Sequence, residues 1–423
     1  MAALKDKYNQ WTKDPHNGEL LFYMGFTLSA FLNIMRTTLF PDLGIILKIC
    51  LMVSALLLAT KIILFDSYTF KMFAAVAAML ACCIMVTLSS GYVGIFLWVL
   101  DIVAAKDIPF RKILQVYLLM NITIMGLAFF ASLLGVIENL AYTSIETERL
   151  RYSFGCVYTT DFAAHVFYMV LAAFYLYHEQ FRWYHYVGTC IIDGLVFYFC
   201  HAKLDTTCII LVVIFFGGYR IVQSSGRREQ TAVTDITTGR RIDKTVFFKK
   251  TKAYLKYRKI WAGTAVASLP VLGALMYYLS ASYRADSEIM AAINEFITGR
   301  LSLAYTGLKK YGITLFGKNI PMEGFGGSTK HTKPYFFIDS SYLFILLRYG
   351  LVFLGMVFII YGVICYKNRQ DTALMLVIVL LAISSSIDHH LMEEAYNPFA
   401  YALFASGMVW KKMEVKYERI FTS

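Results

Sequence analysis

Two arginine positions and an aspartate stand where an apolar chain has little reason to keep charge. Arg300 falls four residues after Phe296 and seven after Ile293, within the run Ile289, Ile293, Phe296, Ile297, Leu301, Ala304, Leu308, whose spacing follows a helical period. This predicts one amphipathic helix over 287–310, lying along a membrane surface, with Arg300 on or beside its apolar stripe and Glu295 and Lys309 on its wet face. A guanidinium so placed either snorkels to lipid headgroups or turns into a cavity, where its planar fork would grip phosphate oxygens in pairs. Arg149 and Arg151 sit just ahead of another apolar run, whose first turns contain Asp161 and His165. Ionisable groups at membrane depth generally face a cavity or a partner. Pairing of Arg149 with Glu146 or Glu148, and capping of the run by Asp161, are the structural alternatives.

Asp339 lies where the polar stretch 281–340 re-enters an apolar run. Desolvation there would raise its pKa and suit it to take a proton from a hydroxyl. A helix N-cap is the competing role, and Ser340 could also supply it. Gly324, Gly326 and Gly327 permit tight turns but lack the Lys-Ser/Thr and helix start of a phosphate loop. Further along, His389, His390, Glu393 and Glu394 cluster. His390 and Glu393, three apart, could share a metal, but no third and fourth ligand is evident, so a polar cluster closing a channel is the expectation. Glu393 and Asn397 could contact sugar hydroxyls, and capping of the last span explains Asn397 equally well.

The elements that must carry these groups follow from composition. With 58% hydrophobic and 16% aromatic residues and several runs near twenty apolar residues, the chain reads as an all-α polytopic membrane protein. About twelve spans are predicted, near 20–38, 43–64, 70–88, 91–105, 113–137, 160–177, 186–201, 206–222, 260–280, 341–365, 371–387 and 397–410. The first follows a polar segment and is long enough to cross, which is not a cleavable-signal pattern. Seven of the eight cysteines fall in or beside apolar runs and Cys156 stands alone in a loop, so small buried hydrophobes are expected, not disulfides.

Orientation follows the basic connections. Lys5, Lys7 and Lys13, then Lys106, Arg111 and Lys112, then Lys367 and Arg369, then Lys411, Lys412, Lys416 and Arg419 fall on one side, taken as cytoplasmic with both termini. The stretch from Arg220 to Lys259 holds twelve Lys or Arg against Glu229, Asp235 and Asp243 and explains most of the net charge of +12. A juxtamembrane loop (223–259) on an anionic leaflet is its ordinary reading, so no nucleic-acid partner is expected. This divides the chain into a bundle over 1–280, an outer loop over 281–340, and the closing spans with a cytoplasmic terminus over 341–423. The outer connections are then 138–159, 281–340 and 388–396, and they hold the polar residues singled out above. No internal repeat is visible.

Arg-Tyr-Ser-Phe-Gly at 151–155, Thr-Gly-Arg at 298–300, Leu-Phe-Gly at 315–317, and the Asp339-Ser340 pair followed after nine intervening residues by Gly350 resemble, in order and placement, the O-antigen ligase and polymerase superfamily. Within it the chain is most similar to Wzy-type polymerases of capsular or exopolysaccharide repeat units. That resemblance implies a C-type glycosyltransferase fold in a bacterial cytoplasmic membrane, working without metal, nucleotide sugar or other cofactor. The donor would be a glycan on undecaprenyl diphosphate and the acceptor another lipid-linked repeat unit, with a chain-length regulator and a flippase as partners. Arg151 and Arg300 would stabilise the diphosphate, aided by Arg149 and by Lys203, which stands where relatives often carry arginine. Asp339 would serve as base where ligases have histidine, and Tyr342, His390, Glu393 and Asn397 would line the glycan or acceptor site. A ligase transferring finished glycan to another acceptor and a flippase of the lipid-linked unit are the competing readings.

Overall fold

A computed structural model describes residues 11–12, 14–143, 149–234, 244–329 and 334–407, with only the backbone described over 224–234 and 244–254. The orientation signals at Lys5, Lys7, Lys13, Lys411, Lys412, Lys416 and Arg419, the side chains of the basic loop from 224 to 254, and Glu146 and Glu148 lie outside the described residues.

The chain is a helical membrane bundle. Its first half comprises α1 (Pro15–Met35), α2 (Ile45–Leu64), α3 (Phe70–Ser90), α4 (Gly94–Ala104) and α5 (Phe110–Leu133), then a hairpin of β1 (Ala141–Thr143) with β2 (Leu150–Tyr152), then α6 (Thr159–Tyr177). There follow α7 (Trp183–Cys200), α8 (Lys203–Thr234) and α9 (Lys244–Ala281). The polar stretch holds α10 (Glu288–Phe296) and α11 (Arg300–Tyr311), and α12 (Ser341–Arg348), α13 (Leu351–Lys367) and α14 (Thr372–Ser384) return into the bundle. Two 3-10 turns, His390–Met392 and Phe399–Leu403, close the described chain.

Seven helices among the described residues are long and apolar enough to cross a membrane: α1, α2, α3, α5, α6, the Lys203–Gln223 part of α8 and the Leu255–Ala281 part of α9. The twelve predicted spans are reduced accordingly. The run at 91–105 gives an eleven-residue helix, about half of what a crossing needs. The run at 341–365 is broken into α12 and α13 at Gly350, whose φ of 92° no L-residue adopts easily. The last predicted span begins as a 3-10 turn, and its residues 408–410 lie outside the described residues.

Burial separates two kinds of apolar helix. α2 and α3 turn most of their side chains outward, as lipid-facing helices do, with Ile63, Phe70 and Leu88 among the exposed residues. In α14 nearly every residue is buried, from Thr372 through Ala382. A helix apolar on all faces belongs at the centre of a bundle, and α9, α8, α6 and α13 pack around it. Cys83, Cys156, Cys200, Cys208 and Cys365 are buried, Cys190 is exposed, and no disulfide forms among the described residues.

The single helix predicted over 287–310 is two. Thr298 and Gly299 both have positive φ, and the α11 start is tied back to α10 by Gly299 N to Asn294 O and Ser302 N to Asn294 Oδ1, at 2.7 and 3.0 Å. α10 keeps an exposed apolar face with Ile289 and Phe296, whereas α11 buries Leu301 and Ala304 against the bundle. Beyond α11 the loop is clasped to the α12–α13 break: Leu351 N and Val352 N donate to Thr314 O and Leu315 O, and Ser89 Oγ donates to Gly317 O at 2.6 Å. Gly317 and Gly350 are what let these backbones meet, since a Cβ on Gly317 would collide with the Arg348 carbonyl and one on Gly350 with the Gly317 amide. Gly317→Ala should therefore cost about 1–3 kcal/mol, read as a lower apparent Tm of the purified chain in detergent, with Gly355→Ala, where the added methyl meets open space, as the unaffected control.

Candidate functional site

The site grows from the end of α14. The last carbonyls of any helix lack intrahelical partners, and in a dry bundle each must find a donor. Ser385 N and its hydroxyl answer Leu381 O, Tyr342 Oη answers Ala382 O at 2.7 Å, and Ile387 N and Asp388 N answer Ser384 O. The Ser341 amide reaches Ser385 O and Asp388 O, at 2.9 and 3.0 Å, and the Leu391 amide donates to Ser341 Oγ. Arg300 supplies Nε to Ile387 O. The loop helix α11 and the re-entrant helix α12 are thus both pinned to the segment 385–391.

That pinning sets the charges side by side. Arg300 Nε lies 3.7 Å from Asp339 Oδ2 and its Nη2 3.9 Å from Asp388 Oδ1, with the arginine side chain only 10% exposed. Nη1 donates to Ile297 O and Thr298 Oγ1. The contact to Asp388 is too long for a hydrogen bond, so among the described residues Nη2 has no hydrogen-bond acceptor. Burial opposes the guanidinium charge, but Asp339, Asp388 and the buried Asp205 of α8 outweigh it and hold the Arg300 pKa above its ordinary value. Arg300 is accordingly turned inward and does not snorkel. Asp339 is not a cap: Ser340 is the N-cap residue of α12 and no side-chain cap bond is made. Nor does a side chain cap α6, where Asp161 stands in the first turn and interacts electrostatically with His390, His389, Glu393 and Asp388.

Arg151 has a separate set of partners. Nε donates to Cys200 O at 3.1 Å, Nη2 to Thr159 Oγ1 at 2.6 Å, and the guanidinium sits 5.7 Å from the centre of the Tyr158 ring. Among the described residues the two arginines share no hydrogen-bond or ion-pair partner. Tyr335 is within electrostatic reach of Asp339, Arg300, Tyr158 and Asp161. The loop also closes over this side, with Gly327 N donating to Val157 O at 2.7 Å. Arg149 stacks on the Tyr198 ring of α7 at 4.5 Å, and Lys203 is exposed at the start of α8. No described contact joins either to Arg300.

The remaining predicted residues divide. Glu393 accepts from both histidines, at 3.2 Å from His389 Nε2 and 3.0 Å from His390 Nδ1, and its side chain is 38% exposed. Burial disfavours the charge on His389, yet Glu393, with Asp339 and Asp161 beyond it, raises its pKa to about 9. Burial likewise works against Glu393, and the two imidazoles win, holding its carboxyl far below the usual range. His390 is buried, with Tyr396 stacked on it at 3.8 Å and His165 stacked on the other side of Tyr396 at 4.1 Å. His165 is itself held between Thr37 Oγ1 and Asn121 Oδ1, at 2.7 and 2.9 Å.

Tyr342 and Asn397, expected at a glycan or acceptor site, are turned into the bundle interior. Tyr342 is 1% exposed and occupied with Ala382 O; Asn397 is 2% exposed, donates to Tyr361 Oη and Leu391 O, and accepts from Phe399 N. Both satisfy backbone inside the bundle. Sequence reasoning placed them by position at the mouth of a span, and nothing in the residue type distinguishes a phenol facing a channel from one answering a helix carbonyl. It passed over Asp388, Asp205 and Tyr335, which join the cluster only through the fold. Asp388 adjoins the His389-His390 pair in sequence, and that proximity was the available signal.

Tyr342→Phe removes one buried hydrogen bond and should cost about 1–2 kcal/mol, seen as a lower apparent Tm. Asn397→Ala removes three partners' contacts and should cost more, and neither change should alter acceptor preference in any assay of the chain's activity.

Comparison with family models, curated proteins and solved structures finds no match for this chain.

Proposed function

We propose that the chain is a membrane glycosyltransferase of the polysaccharide-polymerase type, acting at the outer face of a bacterial cytoplasmic membrane. In this reading a glycan leaves undecaprenyl diphosphate and joins the non-reducing end of a second lipid-linked repeat unit. The supporting observation is the pairing of Arg300 and Asp339: a nearly buried guanidinium with uncommitted Nη2 donors, 3.7 Å from a carboxyl that is 21% exposed, beneath a loop.

The chemistry asks for those two groups. As the glycosidic bond breaks, the diphosphate gathers negative charge, and a preorganised guanidinium that binds it more tightly at that moment lowers the barrier. The incoming hydroxyl must lose a proton, which a carboxylate within hydrogen-bond reach can accept. Arg151, beside Tyr158, would hold the second phosphate or the adjoining sugar. Seven crossing helices provide the bilayer setting for a lipid-linked substrate.

The test uses the full chain in liposomes with lipid-linked repeat units already on the accessible face. Asp339→Asn keeps the side-chain volume and should lower elongation by about 10²-fold or more at unchanged protein yield. Arg300→Ala should abolish polymer as well, but it also strips Ile387 O of its donor, so its yield and Tm must be read beside its activity. Wild-type chain that transfers once and never lengthens the product would favour a ligase. Lipid-linked units that cross the bilayer without any glycan transfer would replace this reading with a flippase.

A further inference from the structure

We infer that His389, His390 and Glu393 form a binding site for a divalent transition metal of the zinc class. The inference goes beyond the glycosyltransferase reading and does not need it. It also departs from the metal-free chemistry that the resemblance implies.

The geometry is the first argument. Donor atoms of His389, His390 and Glu393, one from each, lie within 4.8 Å of one another, with His389 Nε2 3.2 Å from Glu393 Oε1 and His390 Nδ1 3.0 Å from Glu393 Oε2. Donors bound at ~2.05 Å in a tetrahedron stand about 3.3 Å apart, so the three side chains, spread over up to 4.8 Å, would close onto an ion, a movement the part-exposed Glu393 and His389 allow. Sequence spacing alone offered His390 and Glu393; the fold adds His389, which reaches the same carboxylate from one residue earlier.

Support behind the donors is the second argument. A metal site needs its imidazoles fixed in orientation. His390 is locked by stacking on Tyr396, and Phe337 meets His389 edge-on at 4.8 Å. The segment itself is anchored through Ser341 and Leu391. Exposure of Glu393 at 38% and of His389 at 19% leaves a route for an ion, while His390 at 4% forms the inner wall.

Donor type gives the third. Two imidazoles and one carboxylate suit zinc and its first-row neighbours and are poor hosts for magnesium or calcium, which prefer all-oxygen shells. Three protein ligands leave a fourth position for water or a phosphate oxygen. Asp161 and Asp339 both interact electrostatically with His389 and add negative potential on that side.

The experiment uses full-length chain purified through a tag free of histidine, stripped with chelator and reloaded with zinc or cobalt. Elemental analysis should return about one zinc per chain, cobalt should give the intense ligand-field absorption of a four-coordinate site, and zinc should raise the apparent Tm. His389→Ala and Glu393→Gln should each weaken binding by at least about tenfold, while His16→Ala, an exposed histidine at the far end of α1, should not. If a ligand variant fails to fold, the cobalt spectrum of the wild-type chain still decides. Wild-type chain that holds well under one zinc after reloading, or that gives only the weak spectrum of hydrated cobalt, overturns the site. Equal zinc in His389→Ala and wild type also overturns it.

Discussion

The buried end of α14 imposes the constraint from which the arrangement around segment 385–391 follows. A helix that is apolar on every face gains most when it is wrapped on every face, and its C-terminal carbonyls then end in a medium with no water to satisfy them. Each unpaired group there would cost roughly 1–3 kcal/mol. Tyr342 from α12 answers Ala382 O of the helix, and in the segment just past it Ser341 from α12 answers Asp388 O and Arg300 from the loop helix α11 answers Ile387 O. Satisfying the backbone and assembling the charged cluster are therefore one event. The loop cannot dock without delivering Arg300 to Asp339 and Asp388, and the re-entrant helix cannot start at Ser341 without presenting Asp339.

A second constraint holds the far edge of the loop. Gly317 and Gly350 let two backbones approach more closely than any side chain would permit, so Thr314 and Leu315 pair with Leu351 and Val352 across the break between α12 and α13. With one edge pinned by Arg300 and the other by the glycine clasp, the loop is fixed over the cluster. The Gly327 bond to Val157 O closes the side nearest Arg151.

Much of this was legible in the sequence, and the limits are physical. Helical period placed Arg300 beside the apolar stripe, and it is turned inward. It could not show that Thr298 and Gly299 would break the helix, because residues around a turn keep the apolar spacing of the helices it joins. Hydropathy found every apolar run, but it counts apolarity and not geometry, so it read α4 and the broken α12–α13 pair as full spans. Leu-Phe-Gly and Gly350 were visible only as motif members, and their shared reason is a contact across more than thirty residues. Asp205, at the start of α8, and Asp388, in the segment past α14, carry no sequence signal of their meeting.

The electrostatics of Arg300 bear on what such a site can bind. At an effective dielectric near 20, a unit charge pair at about 4 Å attracts by roughly 4 kcal/mol, and desolvating each partner returns several kcal/mol. Pairing with Asp339 and Asp388 thus does little for net stability; it holds a guanidinium in place and keeps it charged. The same carboxylates repel an incoming diphosphate, so a phosphorylated lipid would have to offer oxygens to Nη2 while displacing the long contact to Asp388. A binding partner that loosens Asp388 from Arg300 also disturbs the segment carrying His389, His390 and Glu393, since the residues are contiguous and share the anchors at Ser341. Under the proposed function, anion capture at Arg300 would be coupled to the geometry of the histidine cluster through that one stretch of backbone.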